Sequence, residues 1–242
     1  MERDAEVIEV LNELVNRKPR WGFWKLHDRL RLDGRCINHK RLHRVYCELG
    51  LNLPRRTRRR VPARPRRPLI AAAELNQTWA IDFMSDVLYG RRWFRTFNVI
   101  DEANREALGI EVATSIPSAR VIRVMEQLIE MYGKPKALRL DNGSELTSIA
   151  FTEWCERQKI ELHFIQPGKP DQNAFIERFN KTYRQEVLDA YLFESLEQVR
   201  QITEAWLQEY NQERPHDSLG CVPPLTFMPR KTDVESALPL CA

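Results

Sequence analysis

Between residues 4 and 16, Val7, Val10, Leu11 and Leu14 recur at intervals of three and four, the spacing that lines one face of a helix. Trp21-Gly22 interrupts this pattern, and Phe23, Leu26 and Leu30 resume it until Asp33-Gly34. A third helix is predicted from Asn38, a side chain suited to an N-cap, to Gly50. It turns Leu42, Val45, Tyr46 and Leu49 inward and Lys40, Arg41 and Arg44 outward. Three short helices joined by tight turns, the last with a basic outer face, describe a helix-turn-helix unit whose final helix fits a DNA major groove. A solvated basic face on a small helical bundle would give the same pattern.

From Gln77 the period shortens to two. Thr78 to Leu88, Trp93 to Ile100 and Ala107 to Thr114 read as strands of an antiparallel meander, with Tyr89-Gly90-Arg91 as the first turn. Helical spacing returns at Ser118 to Tyr132, with Val121, Val124, Met125, Leu128 and Ile129 as its apolar stripe and Gly133 and Pro135 as its stop. A strand at Ala137 to Leu140, a helix around Phe151, Trp154 and Cys155, and a strand at Ile160 to Phe164 follow. A loop at Gln166 to Gln172 leads to a helix from about Asp171 to Asp189, which buries Phe175 or Ile176, Phe179, Tyr183 and Val187 and sets Asn173, Glu177, Lys181 and Arg184 on its other face. The last helix is capped by Ser195, with Gln198 in capping-box register, and runs to Tyr210. The expected fold class is α/β: a mixed sheet with flanking helices, in the element order of ribonuclease-H-like folds, behind a small all-α unit. The expected divisions are 1–53 (helix-turn-helix), 54–75 (linker), 76–190 (catalytic core) and 191–242 (last helix and proline-rich tail).

Charge changes the picture at the first boundary. The whole chain of 242 residues carries only +4, but residues 1–75 hold 19 Lys and Arg against 9 Asp and Glu, and the remainder holds 19 against 25. One end suits polyanions and the other suits cations. Pro54 to Pro68 contains eight arginines, four prolines and no acid, so it reads as an extended linker that binds phosphates by counterion release, with Arg55, Arg56, Arg58, Arg59 and Arg60 as DNA contacts. The five cysteines form no CxxC pair, which fits a reduced cytoplasmic protein; no membrane span and no signal segment are expected. Cys36, His39, His43 and Cys47 raise the question of zinc. The last three share one row of a single helix, whereas zinc sites draw ligands from two elements, so the row is assigned to packing. All six tryptophans, Trp21, Trp24, Trp79, Trp93, Trp154 and Trp206, are assigned to the core.

Three acids carry the candidate chemistry. Asp82 stands inside the apolar run Trp79-Ala80-Ile81-Asp82-Phe83, where an acid is costly unless compensated. Asp141 ends an apolar run in Leu140-Asp141-Asn142-Gly143-Ser144-Glu145, and after thirty-five intervening residues comes Glu177, in Gln172-Asn173-Ala174-Phe175-Ile176-Glu177-Arg178-Phe179-Asn180. Taken singly, Asp82 could be a strand-edge acid, with Asp86 or Asp101 in its place, Asp141 a turn residue and Glu177 a solvated helix acid.

These motifs resemble the transposases of bacterial insertion sequences whose catalytic core is similar to retroviral integrases. Trp21-Gly22-Phe23, Lys40-Arg41-Leu42-His43-Arg44-Val45-Tyr46 and Tyr210-Asn211-Gln212-Glu213-Arg214-Pro215-His216 extend the likeness from about Arg20 to Phe227. Arg178, Ser144 and Ala103-Asn104 depart from the family's usual residues. The resemblance implies that Asp82, Asp141 and Glu177 form an acidic triad and that Arg184 is its associated basic residue. Two divalent cations, Mg2+ or Mn2+, about 4 Å apart would suit phosphodiester transfer, and hard cations prefer carboxylate oxygens. The expected activity is metal-dependent DNA strand cleavage and strand transfer, with Lys169, Lys181 and Arg184 positioning the strand. A ribonuclease-H-type nuclease that only hydrolyses, and a non-catalytic DNA-binding regulator, are the rival readings. Expected partners are insertion-sequence ends and target DNA, further copies of the chain on that DNA, and an upstream-frame helix-turn-helix protein or fusion.

Overall fold

The computed structural model describes residues 4–54, 72–166 and 170–230. It opens with α1 (Ala5–Arg17), α2 (Phe23–Leu32) and α3 (His39–Glu48). The stripe read from their sequences closes a core of its own, in which Leu11, Leu26 and Leu42 are fully buried. Asn38 caps α3 by accepting the Lys40 amide. Arg41 and Arg44 both reach back to Asp4 at the head of α1, and Arg44 also pairs with Glu48, while Lys40 is exposed. The basic face therefore helps to tie the third helix to the first. His39, His43 and Cys47 lie exposed rather than packed inside, with His43 edge-on to Phe23 at 4.8 Å. Trp24 is exposed as well, contrary to its assignment to the core: it stands beside His27 and His39, on the outer side of α2.

The second part is a five-stranded mixed sheet of β1 (Thr78–Val87), β2 (Trp93–Asp101), β3 (Ala107–Ala113), β4 (Ala137–Leu140) and β5 (Glu161–Phe164), in the order β3-β2-β1-β4-β5. The pairings β1–β2 and β2–β3 are antiparallel, and β1–β4 and β4–β5 are parallel. Alternation along β1 decides which side each residue serves. Trp79, Ile81 and Phe83 face a core shared with α4 (Ser118–Tyr132) and α5 (Ile149–Gln158). Ala80 and Met84 face a second core built from α6 (Ala174–Tyr183) and α7 (Leu196–Gln212), where Ile176, Phe179, Tyr183 and Trp206 pack. Trp93 misses both cores because it is the first residue of β2, beside the turn of the β1–β2 hairpin. Ser195 caps α7 as expected, accepting the Gln198 amide, while Gln198 returns a side-chain bond to Glu194 N. A four-residue α8 (Pro224–Phe227) is the last helix among the described residues.

Between β2 and β3 the turn buries acids. Asp101, Glu102 and Glu106 are at most 3% exposed, yet each has a cation: Arg139 for Glu102 (2.6 Å), and Arg230 for both Asp101 (2.8 Å) and Glu106 (2.6 Å). Asp101 also accepts the Asn76 and Ala103 amides. Buried charges survive when they are paired and hydrogen-bonded, and both conditions hold here. Among the described residues, no helix is long and apolar enough to cross a membrane.

Candidate active site

Asp82 lies between Ala80 and Met84 on β1, so its side chain leaves the sheet on the α6 side. Its carboxylate is held from two directions: Oδ1 accepts the Phe83 amide at 2.8 Å, and Oδ2 accepts Asn180 Nδ2 at 2.7 Å. Asn180 is in turn fixed by Asn98 Nδ2 (2.7 Å), and Asn98 is the cross-strand partner of Asp82 on β2. This chain of amides was not legible as a site feature. The signal available was an asparagine three residues after Glu177, on the helix face that is otherwise apolar.

Asp141 comes to the same place through strand register. β1 and β4 pair Thr78 with Ala137, Trp79 with Leu138 and Ala80 with Arg139, and continuing that register sets Asp82 opposite Asp141. Parity agrees: Leu138 and Leu140 face the α4 core, so Asp141 falls on the Asp82 side. Just beyond the strand, Asp141 Oδ1 accepts the Gly143 amide at 3.0 Å. A Cβ at Gly143 would stand 3.0 Å from that oxygen, so any larger residue there would push the Asp141 carboxylate aside by a few tenths of an ångström.

Glu177 occupies the first turn of α6, one turn before Asn180. Residues three apart are neighbours on a helix, so the side that reaches Asp82 through Asn180 also carries Glu177. The electrostatics register the convergence. The Asp82 carboxyl is pushed up to about 6, first by burial and then by the negative charges of Asp141 and Glu177, against the lowering effect of the Phe83 and Asn180 bonds. Among the described residues, no three acidic, histidine or cysteine side chains are already gathered at metal-holding distance. The three acids thus interact around one half-buried carboxylate without being drawn together. The donor set suits a hard divalent cation, which would relieve this repulsion.

The shared face expected for Asn173, Glu177, Lys181 and Arg184 does not form. Asn173 is buried in a 3-10 turn (Pro170–Asn173), and α6 stops at Tyr183. A π-helical turn (Arg184–Leu188) follows and redirects the chain. Arg184 there turns back to β1, bonding Asp86 Oδ2 at 2.7 Å and the Ser85 carbonyl at 2.8 Å. Its guanidinium braces the strand that bears Asp82, whereas Lys181 stays exposed. Arg55, Arg56, Arg58, Arg59, Arg60 and Lys169 lie outside the described residues.

Three family models match in succession: an HTH-like domain over residues 2–60, and two integrase core domains over residues 72–170 and 158–224. The 39.2 kDa protein of insertion element IS476 from Xanthomonas euvesicatoria is 40% identical over 217 residues, covering 90% of this chain and 63% of the relative. The 31.7 kDa protein of insertion element IS407 from Burkholderia multivorans is 37% identical over 217 residues, covering 90% of this chain and 78% of the relative. The chain belongs to the insertion-sequence transposases with an integrase core. A more distant relative of this transposase, InsD of insertion element IS2 from Escherichia coli, is 25% identical over 238 residues, with 93% and 79% covered. The transposase also superimposes on a chain of the simian T-cell lymphotropic virus intasome in complex with PP2A regulatory subunit B56 gamma. The TM-score is 0.58 at 14% identity, covering 92% of this chain and 75% of that one, which supports the shared fold alone.

Proposed function

We propose that this transposase cuts DNA at the ends of an insertion sequence and joins the freed 3′-hydroxyl to target DNA, with Asp82, Asp141 and Glu177 as its catalytic acids. The observation that carries the reading is geometric: the β1–β4 register sets Asp141 opposite Asp82, and Glu177 stands one helical turn from the Asn180 that holds the Asp82 carboxylate. The Asp82 carboxyl, raised by burial and then by the charges of the other two acids, agrees with it. Asp82, Asp141 and Glu177 would hold two Mg2+ or Mn2+ ions, which supply charge stabilisation for the attacking and leaving oxygens of an in-line displacement. The chain's own contribution is placement. Asn180 and Asn98 fix the Asp82 oxygens, the Gly143 turn orients Asp141, and the Arg184–Asp86 brace holds β1 against α6. The helical unit, the arginine-rich linker and exposed cations such as Lys40 and Lys181 would carry the DNA backbone. Cutting and joining two ends requires at least two copies on the DNA, and an upstream-frame helix-turn-helix partner or fusion would complete end recognition.

The test is a strand-transfer assay with a duplex of the element's own terminal sequence bearing a recessed 3′-end, in Mg2+ and in Mn2+. Joined product is expected from the native chain. Asp82→Asn, Asp141→Asn and Glu177→Gln should each lose on the order of a thousand-fold, about 4 kcal/mol of transition-state stabilisation. Hydrolysis with no joined product would reduce the activity to that of a nuclease, and unchanged rates in the three variants would remove them from the site.

A further inference from the structure

Beside Glu177, away from Asp82, a cavity of about 570 Å3 opens between α6, the β2–β3 turn, the end of α7 and α2. Five cationic side chains line it against two carboxylates, Glu177 and Asp217. Two of the five are already matched. Arg214 is buried in an ion pair with Glu186 at 3.0 Å, and Lys25 reaches Asp217 at 3.4 Å. Arg105, Arg178 and Lys181 have no carboxylate partner among the described residues, so the cavity holds an excess of positive charge.

Arg105 is placed there at some cost. It takes a left-handed backbone conformation (φ 63°), uncommon for a residue with a side chain. Its guanidinium lies over the Phe175 ring at 3.5 Å. Its Nη1 is buried with no hydrogen-bond partner among the described residues, and burial lowers its hold on the proton. Buried donors are nearly always satisfied, so this orphan, set in the wall of a cationic cavity, points to a missing hydrogen-bond acceptor.

We propose that this cavity holds a backbone phosphate of the DNA strand that enters the active site, with Arg105 and Arg178 as its principal contacts. The inference rests on the proposed function and adds to it the position of a second phosphate, one that does not react. Arg178 follows Glu177 directly in the chain, so a phosphate on Arg178 sets the register of the strand relative to the triad. Because Lys25 belongs to α2 and Arg214 to the segment after α7, an occupied cavity would also join the helical unit to the core. Phosphate contacts of this kind position the strand and carry no sequence information.

The test is a methylphosphonate scan in chelator, which removes chemistry from the readout. A fluorescent duplex of the element's terminal sequence is made with one neutral linkage at a time near the transferred 3′-end, and its affinity is measured for the native chain and for Arg178→Gln. Arg178 is exposed, so this variant keeps the fold; Arg105→Lys, which keeps the charge, is the second variant. For the native chain one linkage should cost roughly tenfold in affinity, the worth of a charge-assisted hydrogen bond. Arg178→Gln should bind the unmodified duplex about tenfold more weakly, be insensitive to that linkage, and show a salt slope shallower by about one. If the native chain binds and joins DNA but no linkage in the scan couples to Arg178 or Arg105, the cavity is not a phosphate site and the proposed function stands. If the native chain neither cuts nor joins DNA, the proposed function fails first and this inference falls with it.

Discussion

Removing the charge of Asp82 should stabilise the metal-free protein, and by an amount that depends on pH. The carboxyl titrates at about 6 in the fold against an ordinary value of 3.8, so the folded state binds its proton more tightly than the unfolded chain does. Stability from this group is fully present below about 3.8 and is lost as pH rises through 6. At neutral pH the ionised side chain thus costs the fold roughly 3 kcal/mol. In Asp82→Asn the new Oδ1 can still accept the Phe83 amide, but the new Nδ2 meets Asn180 Nδ2, donor against donor. Losing that bond takes back about 1 kcal/mol, leaving a net gain of about 2 kcal/mol near pH 8 that shrinks on acidification and reverses near pH 4. Urea unfolding in chelator across this range measures the difference directly. Adding Mg2+ or Mn2+ should then stabilise the native chain, by about 2.7 kcal/mol at a hundred times the dissociation constant, and leave the variant nearly unchanged. A difference flat with pH, or a variant less stable at pH 8, would refute the account of Asp82 as a carboxylate strained by burial and by its two neighbours.

Other outcomes follow from particular contacts. Arg230→Met should cost about 3–5 kcal/mol in chemical denaturation, because it strips the cation from two carboxylates that are at most 4% exposed. Asn180→Leu removes a bond that favours the ionised Asp82, so the pH at which the Asp82 contribution is lost should move upward, while Asn98 loses its acceptor. Arg184→Gln should lower the melting temperature by breaking the brace to Asp86 and Ser85. Lys181→Gln should leave melting unchanged and weaken DNA binding, with a salt slope shallower by about one.

Much of this arrangement was legible in the chain because it depends on period and register. The alternation that buries Trp79 and Ile81 on one side of β1 sends Asp82 to the other, and the apolar run before Asp141 ends where β4 ends. The caps at Asn38 and Ser195 were readable because each is a local bond between neighbours in sequence. What escaped was set by contacts distant in sequence. A regular helix through Arg184 is the natural reading of residues 171–189, but the pairing of Arg184 with Asp86, ninety-eight residues away, goes with a π-helical turn that no periodicity announces. Trp24 and Trp93 resemble core residues by type, and only their places, on an outer helix side and at a hairpin end, leave them in solvent. Asn180 looked like one polar residue among many until Asn98 and Asp82 stood on either side of it.

The grip of Arg230 on Asp101 and Glu106 spans more than half of the polypeptide. During synthesis the sheet's acidic turn emerges from the ribosome long before the arginine that neutralises it. Until then the two carboxylates must stay hydrated or carry protons, which keeps that end of the sheet from sealing. An element whose reading frame is interrupted between Glu177 and this arginine would therefore produce a protein that retains the three acids of the candidate site and leaves two buried carboxylates without their cation.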